Sequence, residues 1–372
     1  MNRHLLSVVI AVFFVLLLWF VSLRQAILFL VGTGMGGVLA GARFGFTTGW
    51  RRLIEQRDGS GVMAQLWLLF LAAAVSMPLL AAFPGELNAA LGPPSYSLLI
   101  GAFVFGACMQ VADGCGSGTL YKAGLGIPLN MVILPMFALG SFLGAAQLDN
   151  WLALGTLTPV SLVAEFGAVP ALALTGLGLL ALGGAARLWA GRSAPWLNRR
   201  LLIGAVLLAV LAVLNLVLAG TPWGIVYGFG LWAGKIATAT GAFDPTANAF
   251  WGQPMHLEAL SNSVFMDVTS ITNIGILAGA LWIAARPAKA ASSSQCAGQT
   301  SRPASPSLTA QQWAIGIVAG FLLGYSSRLA FGCNIGAMVS GISTGSLHGW
   351  IWVPVAFVGS LLGVRIRRHY QF

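Results

Sequence analysis

Gly106-Ala-Cys-Met-Gln-Val-Ala-Asp-Gly-Cys-Gly-Ser-Gly-Thr-Leu-Tyr-Lys-Ala-Gly-Leu-Gly126 is the stretch on which the fold turns. A looser copy, Phe331-Gly-Cys-Asn-Ile-Gly-Ala-Met-Val-Ser-Gly341, returns late in the chain. Each copy sets a cysteine among glycines inside an apolar segment. A helix broken by glycine at membrane depth exposes backbone N–H groups that lipid cannot satisfy, so they must face protein, a cavity or a ligand. Two such breaks in corresponding parts of one chain point to a transport site.

Composition sets the surroundings of these stretches. The chain of 372 residues is 58% hydrophobic and 8% charged, where a soluble domain carries about 25% charged residues. Apolar runs cover 5–23, 62–82, 98–111, 129–148, 169–186, 201–219, 264–285, 315–323 and 351–364. Runs of about 18 residues or more span a bilayer as helices. The shorter runs 98–111 and 315–323 each lead into a Gly-Cys element, as interrupted helices do. Arg3 and His4 precede the first run as in a secretory signal, but Trp19-Phe20 followed by Arg24 reads as an uncleaved helix ending at the interface.

The net charge of +10 does not imply nucleic acid, because Lys and Arg are scattered at segment ends rather than gathered with aromatics on one face. Basic groups at 43–57, 187–200, 286–302 and 365–368 instead mark short cytoplasmic loops. With all four inside, the chain between successive groups crosses an even number of times if the Gly-Cys elements are re-entrant. The Pro-rich loop 84–94, with Glu86, then lies outside. The expected fold is an all-α polytopic membrane protein with half-helices meeting near the midplane as an inverted repeat. Residues 1–190 form the N-terminal half, 191–285 the first part of the C-terminal half, 286–310 a flexible cytoplasmic linker and 311–372 the remainder. Each half has a glycine-rich element with a basic residue, 32–50 with Arg43 and 220–237 with Lys235.

Most of the 48 glycines serve helix packing through small-xxx-small spacing, as at 32–41 and 176–184. Gly114, Gly116 and Gly118 alternate and leave no single packing face. No Lys-Ser/Thr follows them, so they are no phosphate loop. Of the four cysteines, Cys108 reads as a small buried hydrophobe and Cys296 as incidental. Cys115 and Cys333 each open a half-helix, whose free N–H groups and dipole favour an anion. No spacing supports zinc or an iron–sulfur cluster, and neither metal nor cofactor is expected.

Asp113-Gly-Cys-Gly-Ser-Gly-Thr-Leu-Tyr-Lys-Ala-Gly124 and Phe331-Gly-Cys-Asn-Ile-Gly336 resemble the two Gly-Gly-Cys-x-x-Gly motifs of the YeeE/YedE sulfur-transport family. The resemblance extends to Pro222-Trp-Gly, Trp232-Ala-Gly-Lys235 and Asp267-Val-Thr-Ser270, and it implies a bacterial inner-membrane importer of thiosulfate. The chain departs from that pattern twice: Asp113 stands at the first glycine, and Gly45 replaces the cysteine of an N-terminal element.

A dianion must lose water to pass a constriction, which is expensive unless fixed positive ends replace it. Half-helix N-termini supply about half a charge each, with Lys122, Arg43 and Lys235 as further sources. The substrate path is expected to comprise Cys115, Cys333, Gly114, Gly116, Gly118 and Gly332 with those three basic residues. A neutral S–H is a weak donor to a soft terminal sulfur. Glu165, Asp244, His256 and Glu258 are expected in loops, Asp267 as a helix cap, and Asp113 beside Lys122 or Arg328. A sulfur or selenium anion other than thiosulfate is an alternative cargo, and a membrane-embedded thiol enzyme an alternative class. An enzyme needs a base beside the nucleophile, and no histidine lies near either motif except His348, well beyond Cys333, so no enzyme is expected. Partners are the small sulfur-containing anion, the lipid bilayer and a cytoplasmic sulfur-carrier protein.

Overall fold

A computed structural model describes residues 3–191, 193–285 and 308–372; the linker 286–310 up to residue 307, with Cys296, lies outside the described residues. The first half opens with α1 (Arg3–Phe20) and α2 (Leu23–Ala42), then the half-length α3 (Phe46–Gln56) and α4 (Ser60–Ala82). It continues through α5 (Tyr96–Val111), the half-helix α6 (Gly116–Gly124), α7 (Pro128–Ala146), the short α8 (Leu148–Leu152) and α9 (Leu162–Phe166), and α10 (Ala168–Ala190). The second half contains α11 (Arg199–Ala219), α12 (Val226–Ala239), α13 (Pro254–Ser261) and α14 (Val268–Ala284). After the linker come α15 (Ala310–Leu329), a π-helical segment (Asn334–Gly341) and α16 (Leu347–His369).

Among the described residues, nine helical stretches are long and apolar enough to cross a membrane. The chain is an all-α multi-pass membrane protein. Local chemistry fixes the helix ends. Ser95 and Asn198 cap α5 and α11 through Leu98 N and Leu201 N, Thr309 and Gln312 form a capping box on α15, and Pro128 opens α7. Asp267 caps α14 by accepting from Ser270 N at 2.6 Å, as expected. α1 lies at the periphery with Val8, Val12, Val15 and Trp19 exposed, while Leu17 packs beside Phe29.

Glycine pairs hold the core together. Side chains on Gly36 and Gly279 would enter the backbone of the partner helix, so α2 and α14 approach to backbone contact. Gly324 and Gly140 do the same for α7 and α15, and Gly106 and Gly359 for α5 and α16. Lipid tails are as apolar as leucine, so association rests on close packing, which small residues permit.

Several expectations change in detail. Residues 32–42 belong to a full-length α2, not to a separate glycine-rich element. α15 runs 20 residues, well beyond the apolar run 315–323. In α10, Gly176 meets the Phe70 side chain, Gly178 that of Trp350 and Gly183 that of Leu66, while Gly184 faces open space, so none meets a facing backbone. His256 and Glu258 lie on α13 and Glu165 on α9 rather than in loops, whereas Asp244 is in a loop and caps the turn that follows it.

Candidate functional site

The site is built from helices that stop and restart. α5 ends at Val111, Asp113 takes a left-handed φ of 53°, and Cys115 caps α6. α15 ends at Leu329, Phe331 takes a φ of 56°, and Cys333 caps the π-helical segment. Non-glycine residues adopt this conformation uncommonly, with Asp better suited than Phe. Gly332, at φ 150°, sits where side chains are strained, and a Cβ on Gly114 would lie 2.8 Å from Thr119 N. Hydrogen bonds repeat across the two breaks: Gly114 N donates to Met109 O at 3.1 Å and Gly332 N to Ser327 O at 2.8 Å, while Thr119 N donates to Cys115 O and Ala337 N to Cys333 O, both at 2.8 Å. Arg43 (φ 53°) and Gly220 (φ 69°) end α2 and α11 in the same left-handed way.

The two Gly-Cys elements meet. A Cβ on Gly116 would lie 3.1 Å from Cys333 Sγ and 3.3 Å from Ile225 Cγ2, and one on Gly118 would lie 3.6 Å from Cys115 Sγ. Both thiols are fully buried and free of disulfides. Cys115 Sγ is 3.4 Å from Ser117 Oγ, and Cys333 Sγ accepts from Ile335 N at 3.4 Å. Ser340 Oγ donates to Trp223 O at 2.6 Å, tying the Trp223–Ile225 break to the π-helical segment. Cys108 sits in the apolar core one heptad before Cys115.

Charge gathers beside the first element. Asp113 receives Lys122 Nζ at 2.7 Å and Arg51 Nη1 at 2.8 Å, with Arg367 Nη1 at 3.8 Å. Lys122 also donates to Asp113 O at 2.5 Å. Of the two partners expected for Asp113, the structure selects Lys122. Arg328 instead lies over the Phe250 ring, 4.8 Å from its centroid. Arg43 lines a cavity of about 160 Å³ with Arg52, Arg200, Asn198, Thr48 and Gly45. Lys235 Nζ donates to Leu260 O at 2.7 Å and to Asn262 O. These bonds hold it against the C-terminal end of α13.

Arg51, Arg367, Ile225, Ser117 and Trp223 are residues that sequence reasoning did not assign to the site. Arg51 and Arg367 lie inside the basic groups read as topology signals, so a signal existed but carried another meaning. Trp223-Gly-Ile225 sits inside the glycine-rich element 220–237, which sequence reasoning marks for Lys235 and for family resemblance rather than for these residues. Among the described residues, no group of three His, Cys, Asp or Glu side chains is arranged to hold a metal.

In this multi-pass membrane protein two broken helices bring a buried thiol and a glycine into contact. Residues 41–362 match the family model described as Sulphur transport, and the chain belongs to that family. It is 41% identical over 49 residues to the probable transporter YedE of Escherichia coli strain K12, covering 13% of this chain and 12% of that protein. It is 32% identical over 152 residues to the probable transporter YedE of Salmonella typhimurium strain LT2, covering 40% of this chain and 33% of that protein. The matches thus span an eighth and a third of the lengths of these relatives.

Proposed function

We propose that this protein carries a small sulfur-containing anion, thiosulfate in particular, across a bacterial inner membrane. The path runs through the contact between the two Gly-Cys elements. One observation carries the reading: Cys333 Sγ lies against Gly116, immediately after Cys115. Family membership and the YedE relatives support transport of a sulfur species.

The chemistry is differential and weak by design. Fixed positive ends of α6 and the π-helical segment replace part of the hydration shell, and neutral S–H groups meet the soft end of the cargo. Weak, successive contacts let the anion leave as well as enter. Asp113 with Lys122, Arg51 and Arg367 sets three cations against one carboxylate, a net positive field next to Cys115. Arg43 adds charge at the basic cavity, and Lys235 adds a fixed cation on the α12 side. Gly332 takes a backbone turn that strains a side chain, and Gly114 leaves the room that Thr119 N needs.

The halves act as an inverted repeat in this reading. Matched packing supports it: α5 lies along α16 as α15 lies along α7, and the left-handed stops recur at Arg43, Asp113, Gly220 and Phe331. A cytoplasmic sulfur-carrier protein would receive the cargo beside the basic cavity. A thiol enzyme is disfavoured because an activated nucleophile needs a base, and Cys115 Sγ has Ser117 Oγ as its side-chain neighbour.

Radiolabelled uptake into proteoliposomes tests the proposal. Thiosulfate, sulfite, hydrosulfide and selenite are compared with and without a membrane potential. Saturable uptake led by thiosulfate is expected, and uptake of every anion at the level of protein-free liposomes would refute transport.

A further inference from the structure

The basic cavity lies where helix ends meet. Its walls come from the turn after α2, from α3, and from the first residues of the spanning helices α4 and α11. The ends of spanning helices sit at the depth of the lipid headgroups, and basic residues gathered at such ends mark the cytoplasmic face. Arg43, Arg52 and Arg200 all line this one space of about 160 Å³.

The protein itself does not match these cations. Among the described residues Arg43 makes neither an ion pair nor a side-chain hydrogen bond. Arg52 has one carboxylate, Asp58 Oδ2, at 3.7 Å. Arg200 donates Nε and Nη2 to Gly41 O, which fixes the guanidinium and leaves Nη1 to donate elsewhere. Three arginines therefore share one space with a single carboxylate beside them. The N-terminal end of α11, capped by Asn198, stands in the same wall and adds the positive end of its dipole. Planar guanidinium forks suit phosphate oxygens.

The surroundings say which phosphate. Arg200 heads a row at helical spacing along α11, Ile203, Leu207, Val210 and Val217, each about half exposed on the outside of the helix bundle. A phosphate held at Arg200 places whatever is attached to it at the top of this apolar row. We infer that the cavity binds the phosphate of an anionic phospholipid from the cytoplasmic leaflet, with its acyl chains lying along the outer face of α11. Basic pockets between spanning helices on the cytoplasmic side suit such headgroups. Inorganic phosphate meets the same arginines but gains nothing from the row. The inference stands on the cavity and the row, independently of what the protein transports.

The experiment titrates the full-length protein, purified in an uncharged detergent, with phosphatidylglycerol, phosphatidylcholine or inorganic phosphate. Bound lipid is read by native mass spectrometry and melting temperature is followed alongside. Phosphatidylglycerol is expected to bind and to raise the melting temperature, with phosphatidylcholine and inorganic phosphate well behind. Arg43→Gln, Arg52→Gln and Arg200→Gln should each weaken phosphatidylglycerol about fivefold, the effect of one basic residue near an anionic lipid. Arg365→Gln removes an exposed arginine of α16 outside the cavity and should leave the affinity unchanged. Arg200→Gln also loses the bonds to Gly41, whereas Arg43→Gln breaks no side-chain bond and reports even where Arg200→Gln folds poorly. Equal affinity for phosphatidylglycerol and phosphatidylcholine overturns the inference. So does a loss in Arg365→Gln as large as in Arg43→Gln, which would mean a diffuse field, and so does inorganic phosphate acting at the concentrations at which phosphatidylglycerol acts.

Discussion

Cys115 and Cys333 share one backbone conformation, φ −84° with ψ −168° at the first and φ −86° with ψ −168° at the second. Each follows a glycine and a left-handed residue, and each caps the segment that resumes the helix. The residues between and around them differ, so the repeated instruction is conformational: stop, turn, present a thiol at a helix start. The Cys333 sulfur then lies against Gly116, the residue next to Cys115.

Gly116 is the position where a side chain would intrude. In Gly116→Ala the new methyl would sit 3.1 Å from Cys333 Sγ and 3.3 Å from Ile225 Cγ2, so its neighbours must give by a few tenths of an ångström. Overpacking of this kind costs about 1–3 kcal/mol. Uptake is expected to fall several-fold with Ala and to background with Val, at equal amounts of inserted protein. Wild-type rates in Gly116→Val would remove the sulfur contact from the path.

Asp113 is expected to hold the inner end of the site together electrostatically. Asp113→Asn leaves Lys122, Arg51 and Arg367 facing one another without a carboxylate, and breaking a buried pair this way costs about 3–5 kcal/mol. Asp113→Gly suits the left-handed backbone better yet removes the same charge. Both variants should melt below wild type, and below Arg51→Ala, which leaves Asp113 with Lys122. A Gly variant as stable as wild type would reduce Asp113 to a turn residue.

His256 predicts an acid-sensitive stability. Its Nδ1 lies 3.0 Å from Tyr227 Oη and its ring stacks on Phe250 at 4.2 Å. Burial first, then the positive charge of Arg328, pushes the imidazole down to about 4, against about 6.5 when unfolded. The unfolded chain therefore takes the proton first, so this contribution is complete above about 6.5 and is lost as pH falls toward about 4. Melting curves between pH 7 and pH 4 should show that slope, and His256→Gln should flatten it. An equal slope in both proteins would place the acid sensitivity elsewhere.

The membrane spans and the two interrupted elements were legible because apolar run length and alternating glycines are local signals. Gly32, Gly36 and Gly41 also announced a close helix contact, although not that α14 would supply the partner. Helix lengths were less legible. α15 carries Gln311, Gln312, Ser326, Ser327 and Arg328 outside its apolar run, and capping and packing extend the helix over them. The Asp113 cluster was only half visible: Lys122 lies nine residues away, whereas Arg51 and Arg367 arrive on α3 and α16 through long-range packing. The cavity of Arg43, Arg52 and Arg200 was hidden in the same way, since its arginines come from two separate basic groups that only packing brings together.

Uptake of radiolabelled thiosulfate by the Cys115→Ala, Cys333→Ala double variant in proteoliposomes tests the central claim most directly. The account predicts uptake near background from a protein that inserts and melts normally, partial rescue by serine at either position, and a block of wild type by a thiol-alkylating reagent that saturating thiosulfate slows. Full uptake by the double variant would contradict it, leaving the two cysteines as packing residues in a path selected by glycine N–H groups and basic side chains.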